Sequence, residues 1–76
     1  MDIISSKEIE STKAFKSLDK SIQSIYLKRT NRAIINNALI VFRNTGVLNA
    51  GIGTRMTLIV KELIQIEATN DETKKT

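Results

Sequence analysis

The residues with the clearest capacity for chemistry are Gly51-Ile52-Gly53-Thr54-Arg55. Two glycines around one apolar residue let the main chain approach an oxyanion closely. If a helix begins here, its first amides are unpaired donors at the positive end of the helix dipole. Arg55 could close over a phosphate oxygen, and Thr54 could add its hydroxyl or cap the helix. That chemistry is anion binding. The chain has no cysteine and no histidine, which removes a disulfide framework, thiolate and imidazole metal ligands, the cysteine nucleophile and the commonest general base. With no tryptophan, one tyrosine and two phenylalanines, it offers little for aromatic stacking. The expectation is a protein that is not an enzyme and uses no metal or cofactor.

The charge distribution points the same way. Twelve basic and eight acidic residues give a formal net charge of +4. From Lys20 to Lys61, however, there is no acid, and seven bases occur: Lys20, Lys28, Arg29, Arg32, Arg43, Arg55 and Lys61. The acids lie in residues 1–19 and from Glu62 onward. A long uncompensated basic stretch favours an anionic partner, and DNA is the partner this pattern suggests. The competing reading is a solvated basic surface that keeps the chain soluble.

These groups must be positioned by helices. Ser5 can cap a first helix, with Glu8 as its reciprocal partner and Ile4 and Ile9 as a hydrophobic staple. Phe15, Leu18, Ile22 and Ile25 then recur at helical spacing, so a helix is expected over about 5–28. The stripe loses phase near Lys28. A turn at Lys28–Asn31, with Thr30 or Asn31 as the new cap, leads to a second helix over 31–44. Arg29, Arg32, Asn36 and Arg43 share one edge of it, and Asn36 and Asn37 could reach base edges. Gly46 is a natural left-handed cap, and a glycine-bearing hairpin follows over 45–53. Thr54 can cap a third helix to about residue 68, with Met56, Ile59, Val60, Leu63 and Ile66 inward. A strand competes over 57–68, because Leu58, Val60, Ile64 and Ile66 alternate. The fold class is therefore all-α, three helices in one domain over 1–68, with a polar, flexible and disordered tail over 69–76.

Residues 48–60 resemble the helix-hairpin-helix motif of DNA-binding proteins. Gly51-Ile52-Gly53 supplies its turn; Thr57 stands where the family usually has Ala, and Val60 where it has an aliphatic residue. Asn49-Ala50 replaces the usual Leu-Pro before the turn, and Leu48 is displaced by one position. The resemblance implies sequence-independent contact with the DNA backbone through the amides of Gly51 and Gly53 and nearby bases. The alternative is a plain interhelical turn. The candidate nucleic-acid-binding set is Lys28, Arg29, Arg32, Arg43, Gly51, Gly53, Thr54 and Arg55.

A chain this short draws only about 3–5 kcal/mol from one core, yet 41% of its residues are apolar. The second helix is apolar over more than half its circumference, which a second copy would cover, so a homodimer or higher oligomer is expected. No apolar run approaches the roughly 20 residues that span a bilayer, and no signal peptide is visible; a cytoplasmic location without membrane contact follows. Two functions compete. The first is a small DNA-binding accessory or regulatory protein, such as a plasmid- or phage-type factor. The second is an oligomeric protein-interaction module (adaptor, inhibitor or assembly subunit) without nucleic-acid binding.

Overall fold

The computed structural model describes residues 3–75, with side chains for residues 3–69. The order is α1 (Ser6–Glu10), α2 (Lys13–Lys16), α3 (Lys20–Tyr26), α4 (Arg29–Thr45), a 3-10 turn (Ala50–Ile52) and α5 (Thr54–Lys75). The fold is all-α, with no strand among the described residues.

The expected first helix is three short ones, and its own hydroxyl side chains divide it. Ser5 Oγ accepts from the Glu8 amide and caps α1. Ser11 Oγ then donates to the Glu8 carbonyl (2.6 Å). Thr12 Oγ1 donates to the Ile9 carbonyl (2.8 Å) and accepts from the Phe15 amide (3.2 Å). Thr12 thus ends one helix and caps the next. Ser17 Oγ takes the Ala14 carbonyl (2.9 Å) at the end of α2, and Asp19 restarts the chain in extended geometry. Ser and Thr offer the backbone local alternatives to the helical ladder, and here Ser11, Thr12 and Ser17 win over the apolar periodicity, while Asp19 makes no side-chain cap bond. The stripe accordingly fades: Phe15 is buried, Leu18 and Ile22 are half-buried and Ile25 is exposed. The staple forms, with Ile4 and Ile9 both in the core. The reciprocal half of the capping box does not form among the described residues.

The turn before α4 falls at Leu27–Lys28, earlier than the capping signals suggest. Asn31 and Arg32 serve the preceding helix instead of starting the next one. Asn31 Nδ2 donates to the Ile25 carbonyl (2.7 Å), which also accepts from the Lys28 amide (3.2 Å), and Arg32 Nε donates to the Leu27 carbonyl (2.9 Å), so both side chains bond to carbonyls at the end of α3. Gly46 closes α4 in the left-handed region (φ 72°), its amide donating to the Phe42 carbonyl (2.7 Å). Positive φ costs an L-residue about 1–2 kcal/mol and glycine nothing.

Residues 57–68 are helical. Met56, Ile59, Val60 and Leu63 lie on one helical face and all four are buried, whereas the alternating set is divided: Val60 inside, Ile64 half-buried, Leu58 and Ile66 exposed. Helical phase accounts for four of the five residues expected inward; the fifth, Ile66, is exposed, because it lies beyond Leu63, the last buried residue that α5 gives to the core among the described residues. The helix runs to Lys75; the expectation of a polar tail over 69–76 falls mainly on side chains, and at Thr76 on a residue, outside the described set. The core joins Ile4, Ile9, Phe15, Ile35, Ala38, Leu39 and the inward face of α5. The helices α1, α2 and α4 all pack on α5, and α3 packs on α4.

Candidate interaction surfaces

The glycine turn is built differently from the expected phosphate cradle. The Gly51 amide donates to Asn49 Oδ1 (2.9 Å) and the Gly53 amide to the Ala50 carbonyl (3.3 Å). Both donors assigned to a DNA backbone are therefore spent inside the turn. Thr54 is the first residue of α5, not its cap. Gly53 precedes it at φ 96°, and its carbonyl accepts from the Thr57 amide (3.0 Å) and from Thr57 Oγ1 (2.7 Å). Nor does α4 lead straight into the hairpin: residues 46–49 separate its end from the 3-10 turn.

The cations divide into two groups. Arg32 is half-buried and structural, with Nε on the Leu27 carbonyl and Nη1 on the Ile4 carbonyl (3.3 Å). Arg43 forms an ion pair with Glu67 through Nη2, and Nε donates to the other carboxylate oxygen (3.3 Å). The hydrogen bonds to Glu67 raise the Arg43 pKa; partial burial opposes this, while the charges of Glu67 and then Glu8 add to it. Acids from both ends of the chain thus reach into the acid-free middle. By contrast Lys28, Arg29, Arg55 and Lys61 are exposed and have no acidic partner among the described residues. Lys28 and Arg29 stand at the start of α4, which has no acid in its first turn and no side-chain cap. Arg55 stands in the first turn of α5, which likewise holds no acid. The expected common edge of Arg29, Arg32, Asn36 and Arg43 exists on α4, but three of the four side chains bond within the fold. Asn36 Oδ1 accepts from the Ile4 amide (3.2 Å), and only Arg29 remains open.

Two features escaped sequence reasoning. Glu62, an outward residue by helical phase, reaches across to α2 and accepts from the amides of Lys13 (2.9 Å) and Ala14 (2.6 Å). It complements the positive end of a helix that supplies no acid to its own first turn. No local pattern could announce a cap separated by nearly fifty residues. The other feature was half legible, because the apolar excess of α4 was visible but its location was not. The helix buries Ile35, Ala38 and Leu39, leaving Thr30, Ile34, Asn37, Val41 and Asn44 exposed along the opposite side. Ile34 is 42% exposed and Val41 37%. Ala33 and Ile40, beside this line, are half-buried. No charge interrupts this face from Thr30 to Asn44.

Among the described residues no cluster of acidic side chains is arranged to hold a metal, and no helix is long and apolar enough to cross a membrane. No protein-family model, curated protein or solved structure matches the chain.

Proposed function

We propose that this chain is a helical protein-interaction module that docks through the outer face of α4. The observation that carries this reading is the lack of any charge along one side of a 17-residue surface helix. The outward side of a solvated helix is ordinarily charged or polar. This one presents Ile34 and Val41 seven residues apart, with Ala33 and Ile40 beside them, in a chain where charged residues make up 26%. Isolated apolar side chains on a surface are ordinary, whereas an ordered line of them on one element fits an interface.

The test is retention of partner protein by the tagged chain at moderate salt. The unaltered chain and the double variant Ile34→Lys plus Val41→Lys are compared, with Arg29→Ala plus Arg55→Ala as control. Loss of a retained protein from the first variant only is expected, with helicity by circular dichroism unchanged. Equal retention by all three removes α4 from the interface.

Contact with DNA is the second reading. What favours it is the set Lys28, Arg29, Arg55 and Lys61, exposed and without acidic partners among the described residues, with the first three at two helix starts that lack acids. Against it stand the internal commitments of Arg32, Arg43 and the amides of Gly51 and Gly53. A gel shift on arbitrary duplex DNA at rising salt separates the readings. Phosphate contact predicts binding that weakens steeply with salt and fails in Arg29→Ala plus Arg55→Ala. No shift at low salt eliminates it.

A further inference from the structure

The outer face of α4 also indicates what covers it. We infer that its occupant is a second copy of this chain, with the two α4 helices antiparallel about a two-fold axis beside Asn37. The inference rests on the α4 face being an interface and adds the identity and orientation of the partner.

The first argument is the spacing. Thr30, Ile34, Asn37, Val41 and Asn44 follow one another at intervals of four, three, four and three, which keeps one seam on one side of a helix. The line is nearly symmetric about Asn37. Turned end for end, it sets Ile34 against Ile40 and Val41 of the second copy, and Thr30 against Asn44. An isologous contact requires this kind of self-complementarity. At the centre, Asn37 carries both amide donors and a carbonyl acceptor, so two copies can exchange hydrogen bonds across the axis.

The second argument is charge. Lys28 and Arg29 stand at the positive end of α4, with no acid in the first turn to offset them. A parallel pair would bring four such cations together. The antiparallel pair instead places Lys28 and Arg29 beside Thr45 and Gly46 of the second copy. There the dipole of the other helix is negative, the terminus at which cations are favoured, and the Arg43 of its last turn is already paired with Glu67. The orientation thus compensates at the interface what each chain leaves uncompensated alone.

The area sets the strength. A 17-residue helix is about 25 Å long, and one face about 10 Å wide falls well short of the roughly 800 Å² per partner of a standard interface. The dimer is therefore weak and concentration-dependent.

Because the chain has no cysteine, single cysteines report the geometry. Under mild oxidation, Asn37→Cys should form a disulfide-linked dimer. Thr30→Cys and Asn44→Cys should each stay mainly monomeric alone and cross-link with each other when mixed. Lys61→Cys, on the exposed side of α5, is the control for random collision. Sedimentation from micromolar to millimolar concentration should show reversible dimerisation of the unaltered chain. Ile34→Lys should weaken it at least about tenfold, since the substitution enters twice. Self-linking by Thr30→Cys overturns the antiparallel orientation, and linking of Lys61→Cys as efficient as that of Asn37→Cys overturns the seam. A monomer at millimolar concentration overturns the second copy as occupant even if the retention test with Ile34→Lys plus Val41→Lys succeeds; failure of that test strikes at the α4 face itself.

Discussion

The two long helices have similar apolar content and surround it with different neighbours. In α5, Met56, Ile59, Val60 and Leu63 all go to the core, and the exposed residues include Lys61 and Gln65 with the apolar Leu58 and Ile66. In α4, only Ile35, Ala38 and Leu39 are buried, and the other side remains apolar or neutral. The helix α5 is the element on which α1, α2 and α4 pack. The helix α4 meets α5 on one flank and presents the other outward. Each helix leaves two large apolar side chains exposed, but Leu58 and Ile66 on α5 stand among Lys61, Glu62 and Gln65, whereas Ile34 and Val41 on α4 share a face without charge. An exposed apolar line of this kind adds little to the stability of the single chain.

Pairs of substitutions can break that contrast. The largest effect is expected from Ile59→Ala, which empties a site with no solvent exposure. It should lower unfolding free energy by about 2–5 kcal/mol, whereas Ile34→Ala on α4, measured by denaturant titration at low concentration, should change it by no more than about 0.5 kcal/mol. Similar losses at both positions would mean that the α4 face belongs to the core.

Next comes the entry to α5. Gly53 holds φ 96° and ψ 157°, a region open essentially to glycine, so Gly53→Ala should cost about 1–3 kcal/mol. At Gly46, which ends α4 at φ 72° and ψ 7°, alanine should cost nearer 1 kcal/mol. Thermal melts of the two variants give the order. A smaller cost at Gly53 would show that the start of α5 rearranges freely.

A third test sharpens the outward side of α5. Glu62→Gln weakens the acceptor for two amides of α2 and should cost about 1 kcal/mol, with faster hydrogen exchange at Lys13 and Ala14. The neighbouring Lys61→Gln should leave both measurements unchanged. The smallest effect belongs to the contact between the helices. Arg43→Ala removes an ion pair whose side chains are 52% and 43% exposed, so solvent screening limits its worth to at most about 1 kcal/mol, fading in high salt. A loss well above that, insensitive to salt, would make the pair part of the core's support.

How far each region was legible depends on the range of the interactions that form it. Ser5, Gly46 and the inward residues of α5 act within a few positions of themselves, and their roles could be read from the chain. The breaks at Ser11-Thr12 and Ser17–Asp19 are equally local and carried a signal. The apolar stripe obscured it, although hydroxyl side chains at 2.6–3.2 Å from backbone groups outweigh a four-residue pattern. The candidate site was legible only as residue types. Lys28, Arg29 and Arg55 are exposed as a basic stretch suggests, but Arg32 and Arg43 are claimed by partners that no local pattern reveals.

The amino-acid order alone was enough for the helical class, the left-handed stop at Gly46 and the division into acidic ends and a basic middle, because capping, phase and composition are properties of neighbouring residues. Three-dimensional packing decided which charges stay open and which apolar side faces water. Glu62 on the amides of α2 and Glu67 on Arg43 lie far along the chain from the groups they satisfy, and so does Asn36 from Ile4. Pairings of that length are selected by the joint burial of a core, and until that core closes a cation on α4 has no particular partner.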